Sequence, residues 1–226
     1  MTPGPSLPHL PALLFDLDGT LVDSVELILS AGRHAFVDFV GRPPTDDEWR
    51  AGIGRPLRAM FRDHTGDETE VERLVARYRE FQTIHHDRLV TAYEGVVETV
   101  LALARAGHAM ALVTSKGEVM AIRALELVGL AEAFPVIVGM ESCERHKPHP
   151  EPVQRALALL GAAPEEALFI GDSNHDVECG RAAGVYTVGV TWGALRREEM
   201  ERCGADAVIH HMAELPGVIQ GFRRAS

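Results

Sequence analysis

Hydrophobic positions follow two different periods along this chain. From about residue 95 onward, short apolar runs of strand length alternate with segments of helical period, which is typical of a parallel sheet flanked by helices. Between about residues 20 and 92 the apolar positions recur at helical spacing, so this stretch is expected to be all helical. The apolar run at residues 10–17 precedes it and predicts a first buried strand. We therefore expect an α/β fold, a Rossmann-like parallel sheet flanked by helices, with an inserted helical cap.

The same patterns predict individual elements and their grouping. Strands are predicted at residues 10–17, 109–113, 136–139, 167–170 and 185–190. Helices are predicted at residues 24–40, 68–89, 96–106, 118–127 and 152–160. Thr45 and Glu48 have the spacing of a capping box, which marks one more helix start. The expected division is an α/β core of residues 12–20 and 93–226, a cap of residues 21–92, and a flexible tail of residues 1–11, which include four prolines.

Composition narrows the class of protein further. The chain is 46% hydrophobic, which is enough to fill a core, and its formal net charge is -11. An acidic surface repels polyanions, so we expect no nucleic-acid partner. The three cysteines are far apart and odd in number, which favours a reducing cytoplasm. Because no apolar run approaches the roughly 20 residues of a membrane span, we expect no membrane partner. The protein is therefore expected to be cytoplasmic. We also expect a monomer or a homodimer.

Polar residues fall at the ends of the predicted strands. Asp16 and Asp18 end the first strand, Thr114 and Ser115 end the second, and Asp172 ends a later one. Ligands of an open parallel sheet bind outside the carboxyl ends of its strands. We therefore expect these side chains, which are far apart in sequence, to converge on one edge of the sheet.

Acids that converge in this way repel one another unless a cation offsets their charge. Mg²⁺ suits such a site because it prefers oxygen ligands, and one carboxylate then remains free to attack phosphorus. Lys147 and the Thr114 hydroxyl could hold the oxygens of a transferring phosphoryl group. Asp18 could protonate the leaving oxygen and later activate water. The residues thus predict a magnesium-dependent phosphohydrolase in which one of these carboxylates accepts the phosphoryl group.

Four stretches of the chain resemble, in order, the four motifs of the haloacid-dehalogenase superfamily. They are FDLDGTLV at residues 15–22, VTS at residues 113–115, Lys147-Pro148, and GDSNHD at residues 171–176. The resemblance covers nearly the whole chain after the tail. A helical insert directly after the first motif also resembles the first cap type of this family.

The resemblance implies a role for each motif residue. Asp16 would be the nucleophile and a metal ligand, and Asp18 would be the acid and base and would give its backbone carbonyl to the metal. Asp172 would bind Mg²⁺, and Asp176 would be a supporting acid in the second shell of the metal. The catalytic residues expected to hold the phosphoryl group are Thr114 and Lys147. The substrate-binding residues expected are Gly19, Thr20, Ser115 and, from the cap, Arg55.

The substrate is indicated by a second, weaker resemblance. The cap stretches YREF at residues 78–81 and HHD at residues 85–87, with KPHPEP at residues 147–152, resemble the bacterial inorganic pyrophosphatase branch of the superfamily. The overall layout is also similar to phosphoglycolate phosphatases. We expect inorganic pyrophosphate as the substrate, with 2-phosphoglycolate or another small phosphomonoester as the alternative. Taken alone, His85 and His86 are expected to be an exposed helical pair.

Three other functions are weighed against hydrolysis. Dehalogenases of the superfamily need no metal and lack the second acid, so Asp18 and the Gly19-Thr20 pair argue against that reaction. A non-catalytic binding module would be expected to have lost at least one catalytic acid, and none is missing. A phosphomutase, which returns the phosphoryl group to its substrate, stays open.

Overall fold

The computed structural model of the protein describes residues 10–225, with side chains through residue 222. The predicted flexible tail, residues 1–11, lies outside the described residues except for Leu10 and Pro11. Among the described residues, no helix is long and apolar enough to cross a lipid bilayer.

The described residues form eight strands, ten α-helices and four three-residue 3-10 helices. The strands are β1 (Ala12–Phe15), β2 (Val22–Asp23), β3 (Thr91–Ala92), β4 (Met110–Val113), β5 (Val136–Val138), β6 (Ala167–Gly171), β7 (Tyr186–Val190) and β8 (Ala207–Ile209). The helices are α1 (Val25–Ala35), α2 (Asp46–Arg50), α3 (Leu57–Arg62), α4 (Glu68–Leu89), α5 (Val96–Arg105), α6 (Glu118–Leu127), α7 (Glu151–Leu160), α8 (Asn174–Ala183), α9 (Arg197–Met200) and α10 (Leu215–Ala225).

A six-stranded parallel sheet forms the larger part of the fold. Its strand order is β5-β4-β1-β6-β7-β8, and β1 pairs in parallel with β4 on one side and β6 on the other. Side chains of β1 alternate between the two faces, as they must in a strand. Leu13 and Phe15 pack in a cluster with residues of α5, α6 and α10. Ala12 and Leu14 pack in another cluster with residues of α7 and α8. Helices therefore cover both faces, and the predicted Rossmann-like α/β fold is confirmed.

Helices α1 to α4 lie between β2 and β3 and have an apolar cluster of their own. The rings of Trp49 and Phe61 are 5.0 Å apart, and those of Phe36 and Trp49 are 5.6 Å apart. Aromatic side chains in such contact bury large areas, so they supply much of the packing of this small helical group. The assignment of residues 21–92 to a separate cap stays a prediction.

The stretch between residues 20 and 92 is not all helical, which corrects the expectation. At its two ends, β2 and β3 pair antiparallel, with Val22 opposite Ala92 and Asp23 opposite Thr91. The chain leaves and re-enters the core at neighbouring points, so its two crossings run side by side and their backbone groups can pair. Two residues per strand are too few to give a recognisable alternation in the sequence.

Helix boundaries inside this stretch agree with the sequence where end signals are clear. α4 has the predicted bounds, and the capping box of Thr45 and Glu48 is present at the start of α2. α1 ends at Ala35 instead of residue 40. Asp38 adopts a φ of 63°, in the left-handed region, and this turn ends the helical path earlier than the apolar spacing indicated.

Two leucines on α7 give a matched test of core packing. Leu157 is 3% exposed in the cluster beneath the sheet, whereas Leu159 on the same helix is 57% exposed. We expect Leu157→Ala to lower the free energy of unfolding by about 2–5 kcal/mol, because it removes buried methyl groups and leaves a cavity. Leu159→Ala should change it by less than about 1 kcal/mol. Urea titrations of both variants measure the difference, and equal losses would contradict this packing.

Candidate active site

Three buried aspartates meet at the carboxyl edge of the sheet. Asp16 directly follows β1, Asp172 directly follows β6, and Asp176 lies in the first turn of α8. The Asp16 backbone N–H donates to the Ile170 carbonyl at 2.9 Å, so the pairing of the two strands continues up to the acids. Carboxylate oxygens of the three aspartates lie within 4.8 Å of one another. The parallel strand order therefore brings together residues that are more than 150 positions apart.

A single lysine lies inside this aspartate cluster. Lys147 Nζ is 2.9 Å from Asp16 Oδ1 and 2.6 Å from Asp176 Oδ1, and the side chain is almost fully buried. Burial alone would lower the pKa of Lys147, but the charges of Asp16 and Asp176 raise it above its ordinary value. Lys147 is thus held as a cation between two acids.

One buried cation does not balance three carboxylates. Burial raises the pKa of Asp16 to about 7, with the attraction of Lys147 opposing and the charge of Asp176 adding to the rise. Burial, followed by the charges of Asp176 and Asp16, also raises the pKa of Asp172 well above its ordinary value. Full ionisation of the three acids is therefore unfavourable with Lys147 alone, and a further cation would stabilise it.

Hydrogen bonds from backbone and hydroxyl groups orient two of these acids. The Ala194 backbone N–H donates to Asp172 Oδ2 at 2.6 Å, and Thr20 Oγ1 donates to Asp172 Oδ1 at 3.3 Å. Ser173 caps α8, and its N–H and hydroxyl donate to Asp176 Oδ2 at 3.0 and 2.5 Å. Both carboxylates are fixed by the loops that follow β1, β6 and β7, which suits them to hold a ligand in one position.

The chain passes so close to Asp172 that only glycine fits on either side. Gly19 has a φ of +85°, which side-chain-bearing residues rarely adopt, and a methyl group there would overlap the Asp172 carboxylate. A methyl group at Gly193 would overlap the same carboxylate and the Gly19 carbonyl. The predicted substrate-binding residues Gly19 and Thr20 therefore both lie against Asp172 in this structure.

Asp18 is held at the edge of the cluster by two residues that the sequence analysis did not select. Lys116 Nζ lies 2.8 and 3.0 Å from its two carboxylate oxygens, and Ser24 Oγ donates to Oδ1 at 2.6 Å. Lys116 directly follows the Thr114-Ser115 motif, so its position after the predicted strand could have identified it as a candidate site residue. Ser24 follows β2, and its spacing from Asp18 gave no signal of the contact.

Thr114 and Ser115 follow β4 and connect the core to the helical insert. Thr114 is buried, and its Oγ1 accepts from the Lys116 N–H at 3.2 Å. Ser115 Oγ donates to the Gly54 carbonyl in the loop before α3 at 2.6 Å. This loop, which contains the predicted contact residue Arg55, is therefore held directly over the core.

A cavity of about 380 Å³ lies between the core and helices α1, α3 and α4. Its core side includes Asp16, Asp18, Thr114, Ser115 and Lys116. Its opposite side includes Ile53, Arg55, Met60, Tyr78 and Arg79. Arg55 lies in the wall, and its guanidinium donates to Asp63 at 2.6 Å, while its contact with substrate stays a prediction. A small phosphorylated molecule in this cavity would meet the Asp16 carboxylate at its floor.

The expectation of an exposed His85-His86 pair is wrong for His86, which is fully buried. Its Nδ1 is 2.8 Å from Asp87 Oδ1, and burial lowers its pKa. Asp87 also pairs through both carboxylate oxygens with Arg123 of α6, each at 2.9 Å. The end of α4 therefore packs against the core. The position of His86 along the helix does not reveal this tertiary contact, so the sequence predicted an exposed side chain.

Comparison with known proteins identifies the family. Residues 13–190 match the family of haloacid dehalogenase-like hydrolases. Pyrophosphatase PpaX of Bacillus cereus is 39% identical over 213 residues, which cover 94% of this chain and 98% of that protein.

Solved structures agree with this assignment. A haloacid dehalogenase-like hydrolase from Bacteroides fragilis superposes with a TM-score of 0.84 at 29% identity, covering 92% of this chain and 100% of that one. A protein described as a predicted phosphoglycolate phosphatase from Haemophilus somnus superposes with a TM-score of 0.82 at 25% identity, covering 92% of this chain and 97% of that one. The match over most of the sequence, together with the aspartate cluster and the cavity above it, shows that the chain belongs to the haloacid dehalogenase-like hydrolases and is a phosphatase.

Proposed function

We propose that this phosphatase hydrolyses inorganic pyrophosphate with Mg²⁺ and carries the transferred phosphoryl group on Asp16. The observation that carries the proposal is the buried cluster of Asp16, Asp172 and Asp176, in which Lys147 pairs with Asp16 and Asp176 and Asp16 lines the cavity. The similarity to pyrophosphatase PpaX along 94% of the chain supports pyrophosphate as the substrate.

The chemistry of the cluster fits a hard divalent cation. All of the candidate ligands are carboxylate oxygens, which Mg²⁺ prefers. Burial, and then the charge of neighbouring acids, raises the pKa of Asp16 and Asp172, so both acids tend to keep protons that a bound cation would displace. Asp16 and Asp172 would hold the ion with the Asp18 backbone carbonyl, and Asp176 would support them. When bound, Mg²⁺ would neutralise charge on these acids and on the transferring phosphoryl group.

Phosphoryl transfer proceeds in two steps in this proposal. In the first, the Asp16 carboxylate attacks phosphorus, the bond to the leaving phosphate breaks, and Asp18 gives its proton to the leaving oxygen. In the second, water attacks the phosphorus of the aspartyl-phosphate, Asp18 takes a proton from that water, and the bond to Asp16 breaks. Lys147 and the Thr114 hydroxyl bind oxygens of the phosphoryl group in both steps.

The helices over the site have a part in both steps. Their side chains form the wall of the cavity opposite Asp16, so they cover bound substrate on that side. A site that excludes water strengthens the electrostatic contacts inside it and limits unproductive proton transfer. We therefore propose that residues 21–92 act as a cap.

A second substrate is favoured by one comparison. The Haemophilus somnus structure, described as a predicted phosphoglycolate phosphatase, superposes over 92% of this chain. The proposed chemistry at Asp16 is the same for a phosphomonoester such as 2-phosphoglycolate. Only the leaving group differs, and it faces the cap.

The two substrates are distinguished by comparing the kcat/KM of each. We expect phosphate release from pyrophosphate, in the presence of Mg²⁺, with a kcat/KM at least about tenfold above that for 2-phosphoglycolate. Initial rates over a range of each substrate measure this ratio. Fast turnover of 2-phosphoglycolate with negligible turnover of pyrophosphate would show that the proposed substrate is wrong.

The nucleophile is tested by an isosteric change. Asp16→Asn keeps the shape of the side chain but removes the attacking carboxylate, so kcat should fall by at least about a thousandfold. Asp23→Asn removes an exposed carboxylate at the nearby strand β2 and should keep activity within about twofold. Phosphate release measures both variants, and substantial turnover by Asp16→Asn would point to another nucleophile.

The raised pKa of Asp16 predicts how the stability of the metal-free protein depends on pH. The pKa of Asp16 is raised from 3.8 to about 7, so the folded state keeps a proton that the unfolded state releases at lower pH. Its contribution to the free energy of unfolding is therefore present near pH 4 and is lost as the pH rises through about 7. Asp16→Asn does not titrate, so its thermal stability relative to the native protein should increase over this range.

Thermal unfolding in a chelating buffer between pH 4 and pH 8 measures this difference. Adding Mg²⁺ at pH 8 should raise the melting temperature of the native protein more than that of Asp16→Asn, because the ionised carboxylate is the better ligand. If melting temperature changed with pH in the same way for the two proteins, with and without Mg²⁺, the raised pKa of Asp16 would be refuted.

A further inference from the structure

The leaving group has a defined environment, given the acid role proposed for Asp18. The oxygen that Asp18 protonates must lie within hydrogen-bond reach of its carboxyl group. Lys116 Nζ lies 2.8 and 3.0 Å from the two oxygens of that group, and its side chain is 7% exposed. Lys116 also lines the cavity. Any leaving group that Asp18 protonates is therefore next to a buried ammonium.

A second cation faces the same cavity from α4. Arg79 lines the cavity, and within the described part of the chain its guanidinium has no ion pair or hydrogen bond. Arg55, the other arginine of the lining, is already paired through both of its terminal nitrogens with Asp63. Arg79 is therefore the lining cation that is free to bind an incoming anion. It belongs to the YREF stretch, for which the proposed reaction has no role.

The position of these two cations bears on the choice of substrate. Asp16 and Asp18 lie on the core side and repel an anion, whereas much of the remaining wall is apolar, with Ile53, Met60 and Met120. A charged leaving group gains its attraction from Lys116 and Arg79, and a guanidinium suits phosphate because it offers two parallel donors. An uncharged leaving group gains nothing from either cation.

We propose that Lys116 and Arg79 form a binding site for the leaving group that selects substrates whose leaving group is an anion. This inference rests on the proposed function and adds the class of leaving group. Inorganic phosphate, the group released from pyrophosphate, fits the site best because it carries the most charge for its size. The carboxylate-bearing glycolate fits it less well, and a simple alcohol does not use it.

The test compares substrates that share the transferred group and differ in the leaving group. The ratio of kcat/KM for pyrophosphate to kcat/KM for ethyl phosphate, whose leaving group is uncharged, measures the selection. Arg79→Ala should lower this ratio at least tenfold, mainly through the KM for pyrophosphate, and Arg79→Lys should keep most of it. Arg88→Ala, which removes the same charge from the same helix outside the cavity lining, should leave the ratio within twofold of the native value.

A ratio within twofold of the native value in Arg79→Ala would overturn the proposal for that residue. Lys116→Gln should also lower the ratio at least tenfold, while Lys116→Arg retains it. An unchanged ratio in Lys116→Gln would show that Lys116 does not bind the leaving group.

Failure of the proposed function has a different signature. In that case neither substrate releases phosphate, or release from both survives Asp16→Asn.

Discussion

The burial of three carboxylates around one ammonium group is the constraint on which the rest of the structure depends. An isolated charge is costly to bury, and Lys147 offsets that cost for Asp16 and Asp176 by direct contact. Backbone and hydroxyl donors bind oxygens of Asp172 and Asp176, and glycines leave the space that this crowding needs. The loops after β1, β6 and β7 must all be present for the cluster to form. Partial folding would leave unpaired charges in an apolar setting, so the site and the sheet are stabilised together.

The fold divides the chemistry between its two parts. The parallel sheet fixes the acids and Lys147 on its carboxyl edge, where short loops follow rigid strands. The inserted helices contribute none of the three clustered carboxylates, but they provide the opposite wall of the cavity. Transfer of a phosphoryl group therefore depends mainly on the core in our proposal, and discrimination between leaving groups depends mainly on the insert. Changes in α3 or α4 could alter substrate choice without disturbing the acids.

The sequence predicted most of the sheet and the acids because both leave strong local signals. Buried strands are short apolar runs, and Asp16 and Asp172 stand directly after two of them. The missed features depend on tertiary contacts. The Ala194 backbone N–H that holds Asp172 has no side-chain signature, and β2 and β3 are too short to show a period. His86 was predicted to be exposed because its burial depends on packing against α6, which helical position does not reveal.

The pairing of β2 with β3 has a mechanical consequence. Both crossings between core and insert lie at one side of the site, where Asp18 forms an isolated bridge with Val22 and Ser24 follows directly. A rigid rotation of the helices about this paired segment displaces atoms in proportion to their distance from it. Ser24 and Asp18, which adjoin this segment, would then move little. A pivot at this place would leave Asp18, the general acid of our proposal, in register with the core during such a motion.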